Sequence, residues 1–266
     1  MKEPPIPRPT GSGEPFPKGP ARALLRRLVA LRLFLRGCDL PLASGRAVLV
    51  IAPHPDDETL GMGGTIARLA AAGSVPHVAF VTDGRASHPG HPTLGPEDIA
   101  ALRRREAEGA LAALGVGADR VAYLGGPDGR LDRLAPDEGK RLADELRLAF
   151  RRVRPDLVFL PTRADGSSEH QGAYDLVRSV LATETGDARV LEFAVWAWWS
   201  PLRLLAPLRT SRAVWRSRLG PARAAKARAI AAYQSQCLPL PPQRTAALPA
   251  GFPASFDTAT EYFFER

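Results

Sequence analysis

The run His54-Pro55-Asp56-Asp57-Glu58 constrains this chain more than any other segment. It follows Ala47-Val48-Leu49-Val50-Ile51-Ala52, a short apolar run rich in β-branched residues that reads as a buried strand. It precedes Thr59-Leu60-Gly61-Met62-Gly63-Gly64-Thr65-Ile66, which reads as the start of a helix. One imidazole and three carboxylates within five residues repel one another unless a cation neutralises them. In an α/β fold a strand-to-helix junction lies at the carboxyl edge of the sheet, where ligands bind. The run therefore predicts both an α/β fold and a metal site.

The rest of the chain continues the alternation. Strand candidates at 47–52, 77–82, 120–124, 156–160 and 190–196 are separated by helical patterns at about 59–73, 97–115, 136–153 and 170–184. The second helix has Pro96-Glu97-Asp98 at its start and Gly115 at its end, both suited to those positions. Such alternation implies right-handed βαβ units and a single-domain, three-layer α/β/α, Rossmann-like fold with a mainly parallel sheet. Residues 1–20, rich in proline and glycine, read as a disordered tail; 21–40 as a basic amphipathic helix; 41–266 as the folded domain.

Composition narrows the function classes. The 266 residues are 45% apolar and 24% charged, ordinary for a soluble globular protein with a sizeable core. The net charge of +8 raises the question of nucleic acid, but no aromatic-interleaved basic patch or groove-reading motif is present, so no nucleic-acid partner is expected. Cys38 and Cys237 are far apart and form no CxxC pair, which argues against a disulfide framework or a cysteine-built zinc site and for a reducing, cytoplasmic setting. No signal peptide is visible at Lys2 and Glu3, and no uncharged apolar run is long enough to span a bilayer. Residues 21–36 combine leucines at helical spacing with five arginines. They suit either peripheral contact with the inner face of a membrane, or packing on the domain or a partner.

A catalytic zinc takes three protein ligands and keeps one position open. His54 and Asp57 can face one point above the sheet. His170 is the best third ligand, because it follows strand 156–160 and a polar loop and so also sits at a carboxyl edge. Of the five histidines only His54 and His170 hold such positions; His77 begins a strand at the opposite edge. Asp56 is then free to act as general base on a metal-activated water, a combination suited to hydrolysis of an amide or ester. Glu58 favours the helix N-terminus as a cap. Residues 84–95 form a long aperiodic connection of the kind that serves as a lid, with His88 and His91 as substrate contacts, spare ligands or solvated side chains. Trp196, Trp198 and Trp199 could stack on a sugar or lipid, or pack in the core.

The run at 54–58, with Ala52-Pro53 before it and Thr59-Leu60-Gly61-Met62-Gly63-Gly64 after it, closely resembles the signature of the PIG-L/LmbE-like zinc de-N-acetylases. Val81-Thr82-Asp83-Gly84, Arg103-Arg104-Arg105-Glu106, Leu124-Gly125-Gly126-Pro127-Asp128 and Lys226 with Ser235-Gln236 resemble further segments of that family. The resemblance covers about residues 46–237. It implies a zinc-dependent hydrolase, other divalent metals being allowed, that removes the N-acetyl group from an N-acetylglucosamine-type sugar or its conjugate: a glycolipid, thiol precursor or natural-product intermediate. It implies His54, Asp57 and His170 as zinc ligands, Asp56 as base, and Arg103 and Asp128 as sugar-binding residues. One departure stands out. Many relatives read His-Pro-Asp-His around the third ligand, whereas this chain reads Ser167-Ser168-Glu169-His170. Glu169 can replace the aspartate and orient His170 from behind. For the helper histidine missing at Ser167, either His88, His91 or Arg163 substitutes, or Asp56 carries both proton transfers, or activity is low. The alternative reading is a non-catalytic sugar-binding or scaffold member of the same fold; a metal phosphoesterase is a weaker third.

Overall fold

Strand β2 (Val48–Ala52) is buried along its whole length, and its alternate residues feed two separate cores. Val48, Val50 and Ala52 face a cluster with Leu60, Met62, Ile66 and Leu111, while Leu49 and Ile51 face one with Leu142, Leu146, Phe150 and Val177. That is the strand geometry of period two, with helices covering both faces of a parallel sheet. The computed structural model describes residues 20–184 and 188–266. The expected tail, 1–20, lies outside the described residues except for Pro20.

The remaining strands are β1 (Cys38–Asp39), β3 (His77–Phe80), β4 (Val121–Tyr123), β5 (Leu157–Pro161), β6 (Arg189–Phe193), β7 (Ala213–Arg218) and β8 (Thr260–Glu265). Their order across the sheet is β1-β7-β8-β6-β5-β2-β3-β4. All pairs are parallel except those of β8, which runs antiparallel between β6 and β7. The helices are α1 (Pro20–Arg36), α2 (Asp57–Ala71), α3 (Pro96–Ala113), α4 (Pro136–Val153), α5 (Ser168–Glu184), α6 (Trp196–Trp199), α7 (Leu205–Thr210), α8 (Ala222–Ala232) and α9 (Gln234–Cys237). On one face α2, α3 and α8 pack against the sheet; on the other, α4 and α5 do. The three-layer, mainly parallel α/β architecture is therefore as the sequence implied. The sheet is wider than the five expected strands, extended by β1, β7 and β8.

Helix α2 carries the site and is unusual inside. Met62 has φ −148° and ψ 19°, which breaks the helical hydrogen-bond ladder. The freed groups are satisfied by a buried ion pair from the other end of the chain. Glu261 accepts from the Gly64 and Thr65 N–H groups at 2.9 and 2.7 Å. Lys226 donates to the Leu60 carbonyl at 2.8 Å and to Glu261 at 2.7 Å. The Leu60 carbonyl is the acceptor that the Gly64 N–H would use in a regular helix, so Lys226 and Glu261 together replace that one bond. The adjacent glycine allows close packing: a Cβ on Gly61 would clash with the Phe193 ring.

Candidate metal centre

Parallel strands β2 and β5 are neighbours, so the segments leaving their carboxyl ends meet above the sheet. The first of these is the turn His54–Glu58. Asp56 caps α2 with φ 134° and ψ −29°, a conformation a non-glycine residue adopts at a cost of about 1–3 kcal/mol. Glu58 and Arg103 hold it there. The Glu58 carboxylate, fully buried, accepts from the Asp56 N–H at 3.1 Å, from Thr59 Oγ1 at 2.5 Å and from the Tyr233 hydroxyl at 2.7 Å. Arg103 Nη2 donates to the Pro55 carbonyl and lies 3.3 Å from Asp56 Oδ2. Burial pushes the Asp56 carboxyl up to about 7, against the opposing pull of the Arg103 charge.

Asp57 Oδ2 is the centre of the second group of contacts. It lies 3.1 Å from His54 Nδ1 and 3.2 Å from His170 Nε2, and it accepts the His54 N–H at 3.0 Å. The structure thus brings His54, Asp57 and His170 together, with their ligand atoms all within 4.8 Å of one another. His170 Nε2 is buried and makes no hydrogen bond; its approach to Asp57 is close but not aligned. Each histidine has a carboxylate at its other ring nitrogen: Glu169 Oε2 at 2.8 Å from His54 Nε2, and Asp165 Oδ2 at 2.6 Å from His170 Nδ1. Carboxylates in those places fix the tautomer, turning His54 Nδ1 and the orphaned His170 Nε2 towards one point beside Asp57. Two imidazole nitrogens and one carboxylate oxygen form a donor set that fits a divalent metal with open positions. Burial disfavours charge on His170, yet Asp57 and Asp165 outweigh it and raise the imidazole to about 10. The same carboxylates would balance the charge of a cation.

One expectation needs correction. Glu169 does not orient His170; it accepts from His54 and from the Leu131 N–H at 3.0 Å. Asp165 takes the position behind His170. Glu169 is the residue immediately before His170 at the start of α5, and its side chain turns to the opposite neighbour. Asp165 ends the short turn Arg163–Asp165 after β5, and the N–H groups of Val195, Trp196 and Ala197 clamp it at 2.8, 3.0 and 2.9 Å. In the sequence Asp165 shows only as one polar loop residue before Gly166. Its role depends on the α6 backbone, which local patterning does not reveal.

Arg103 and Asp128 occupy different settings. Arg103 is 2% exposed and grips the back of the His54–Glu58 turn, with its Nε and Nη1 lacking hydrogen-bond partners. Asp128 accepts from the Ala86 N–H at 2.6 Å and Thr82 Oγ1 at 3.1 Å, and its Oδ1 is 3.4 Å from His54 Nε2. It also lines a cavity of about 360 Å³ with Asp83, Arg85, Arg130, Glu138 and Arg141. The candidates to replace the helper histidine are engaged elsewhere. His88 contacts Ser87 Oγ and the Ser235 carbonyl; His91 contacts the Pro241 carbonyl and the N–H groups of Thr93 and Leu94. Arg163 pairs with Asp175 at 3.0 Å. The tryptophans pack internally: Trp196 and Trp199 lie 4.5 and 5.5 Å from Phe252, and Trp198 lies 6.1 Å from Tyr262.

The sequence model of the PIG-L family, described as GlcNAc-PI de-N-acetylase, matches residues 49–181, half of the chain, including the turn and His170. The chain belongs to the PIG-L family. Among its PIG-L relatives, a 1D-myo-inositol 2-acetamido-2-deoxy-alpha-D-glucopyranoside deacetylase of Kineococcus radiotolerans is 28% identical over 169 residues, which is 53% of this chain and 46% of that protein. The chain spans about half the length of the curated relatives it matches. The conserved protein TT1542 of Thermus thermophilus has the same fold at a TM-score of 0.59 and 26% identity, over 82% of this chain and 94% of that one. So does a 4-carboxy-2-hydroxymuconate hydratase of Pseudomonas putida, at a TM-score of 0.61 and 16% identity, over 83% and 95%. This PIG-L fold is therefore shared with a hydratase, so the fold alone does not set the reaction; the site does.

Proposed function

We propose that this PIG-L protein is a zinc-dependent amidohydrolase that removes the N-acetyl group from an N-acetylglucosamine-type sugar or its conjugate. The observation that carries this reading is the buried, orphaned His170 Nε2 converging with His54 Nδ1 and Asp57 Oδ2, with Asp56, held at a strained backbone angle, next to Asp57. The family description and the deacetylase name of the Kineococcus relative point to the same bond.

His54, Asp57 and His170 would hold the cation, which supplies Lewis-acid activation of water and of the acetyl carbonyl. Asp56 removes a proton from the attacking water as its oxygen bonds to the carbonyl carbon. When the C–N bond breaks, Asp56 returns that proton to the departing nitrogen, giving acetic acid and the amine, which exchange a proton to become acetate and an ammonium group. Asp56 suits both transfers because its carboxyl is buried beside the ligand cluster, and burial favours its protonated form enough for it to hold a proton between the two steps. His88, His91 and Arg163 are engaged elsewhere, so the second transfer is assigned to Asp56 as well. Arg103 positions Asp56 from behind. Asp128 and the polar cavity it lines would receive the sugar hydroxyls.

The test is acetate release by the zinc-loaded chain across a panel of N-acetylglucosamine conjugates, with release expected from at least one. The competing reading, a non-catalytic sugar-binding or scaffold member, draws on Ser167 standing where a helper histidine would be. Bound zinc with no acetate from the entire panel would favour it.

A further inference from the structure

Helix α1 buries only one side. Val29 and Leu33 pack against Val214, Tyr262 and Phe264. The opposite side presents Leu24, Leu28, Leu31 and Leu35, which are 58%, 52%, 53% and 73% exposed. Their spacing of four, three and four residues places them in one narrow stripe along the helix. Arg27 and Arg32 are exposed and project on either flank of that stripe by the same helical geometry. Nothing among the described residues covers these leucines.

We propose that α1 docks this protein on an anionic lipid surface, with the leucine stripe in the headgroup–acyl boundary and the flanking arginines on lipid phosphates. Charge decides between the possible occupants. The helix carries five arginines and no acidic residue. Two copies paired along their leucines would set Arg27 and Arg32 against like charges, with no carboxylate on α1 to pair with them, whereas helix pairs rely on complementary flanking charges. A bilayer rich in anionic headgroups complements the arginines and takes up the leucines together, as interfacial amphipathic helices do. Insertion is shallow, since no helix among the described residues is long and apolar enough to cross a membrane. Residues 1–19 contain only Met1, Ile6 and Phe16 as large apolar side chains, few to match the four exposed leucines.

The full chain is tested by flotation with phosphatidylcholine vesicles, with and without phosphatidylglycerol. Binding at least about tenfold tighter to the anionic vesicles is expected, and it should weaken in high salt. Leu28→Glu with Leu31→Glu should abolish binding, and Arg27→Glu with Arg32→Glu should reduce it about tenfold or more. Both pairs are exposed, so circular dichroism and Tm should stay at wild-type values, which separates lost docking from lost folding. The inference is overturned by wild-type protein that ignores anionic vesicles, whether it is a monomer, a dimer that Leu28→Glu with Leu31→Glu dissociates, or bound to an acidic protein through this face. Equal binding to neutral vesicles, or binding that survives the leucine changes, overturns it as well. These outcomes are independent of the deacetylase reading, since none is measured through turnover.

Discussion

Asp165 holds the Nδ1–H of His170 at 2.6 Å while three successive backbone N–H groups, of Val195, Trp196 and Ala197, hold Asp165. The donor atom of His170 is therefore aimed by a chain of contacts running from the end of β6 through a fully buried carboxylate. A metal ligand supported in this way loses little freedom on binding, which is how outer contacts raise affinity.

Asp165→Asn should weaken metal binding about 10-fold to 100-fold, because an amide can donate to Nδ1 and favour the wrong tautomer. Competition titration against a chelating dye measures this directly. An unchanged affinity would mean that Asp165 serves only the backbone of α6.

Lys226→Met should destabilise the fold by about 3–5 kcal/mol, since it leaves the Glu261 carboxylate buried and unpaired beside the broken turn of α2. Urea unfolding reads the loss. A change within about 0.5 kcal/mol would show that the pair does not compensate the break at Met62.

Gly61→Ala should cost about 1–3 kcal/mol, although alanine is the better helix former, because the new methyl would meet the Phe193 ring. Thermal unfolding of the variant should shift downward. A raised Tm would show that Phe193 can rotate away freely.

Much of this was legible in the sequence, for identifiable reasons. β2 and β5 are buried along their whole length, so their apolar runs stand out, and the alternation with helices fixed the parallel architecture. β7 and β8 did not stand out. Ala213–Arg218 carries three polar residues in six, and Thr260–Glu265 is a short block bounded by charge. Their pairing with each other joins segments more than forty residues apart, which local patterning does not connect. The run at 54–58 and His170 were readable because strand ends face one edge. Asp165 was not, because its partners are backbone groups some thirty residues on. Lys226 was visible only as a motif residue; its task of repairing α2 needs Glu261, which local patterning does not connect to it.

Stability should also depend on acid titration of Glu265. Its carboxylate meets Arg189 through two bonds, at 3.1 and 2.9 Å, and Trp215 Nε1 at 2.6 Å; the Arg189 bond leads in holding its pKa below the ordinary 4.5. A lowered folded-state pKa contributes stability above the unfolded value, and that contribution disappears as pH falls through the folded value. Glu265→Gln should thus cost about 0.5–1 kcal/mol at neutral pH, the pair being partly exposed, and the difference from wild type should close in acid. A gap that persists at low pH would assign the effect to packing.

The most direct measurement pairs bound-zinc stoichiometry with acetate release for the wild type and Asp56→Asn on the same N-acetylglucosamine conjugate. The expected result is one tightly bound zinc in both proteins, with turnover in the variant reduced at least about 100-fold. Turnover within a few-fold of wild type in zinc-loaded Asp56→Asn would contradict Asp56 as the base that moves the proton from water to the leaving amine.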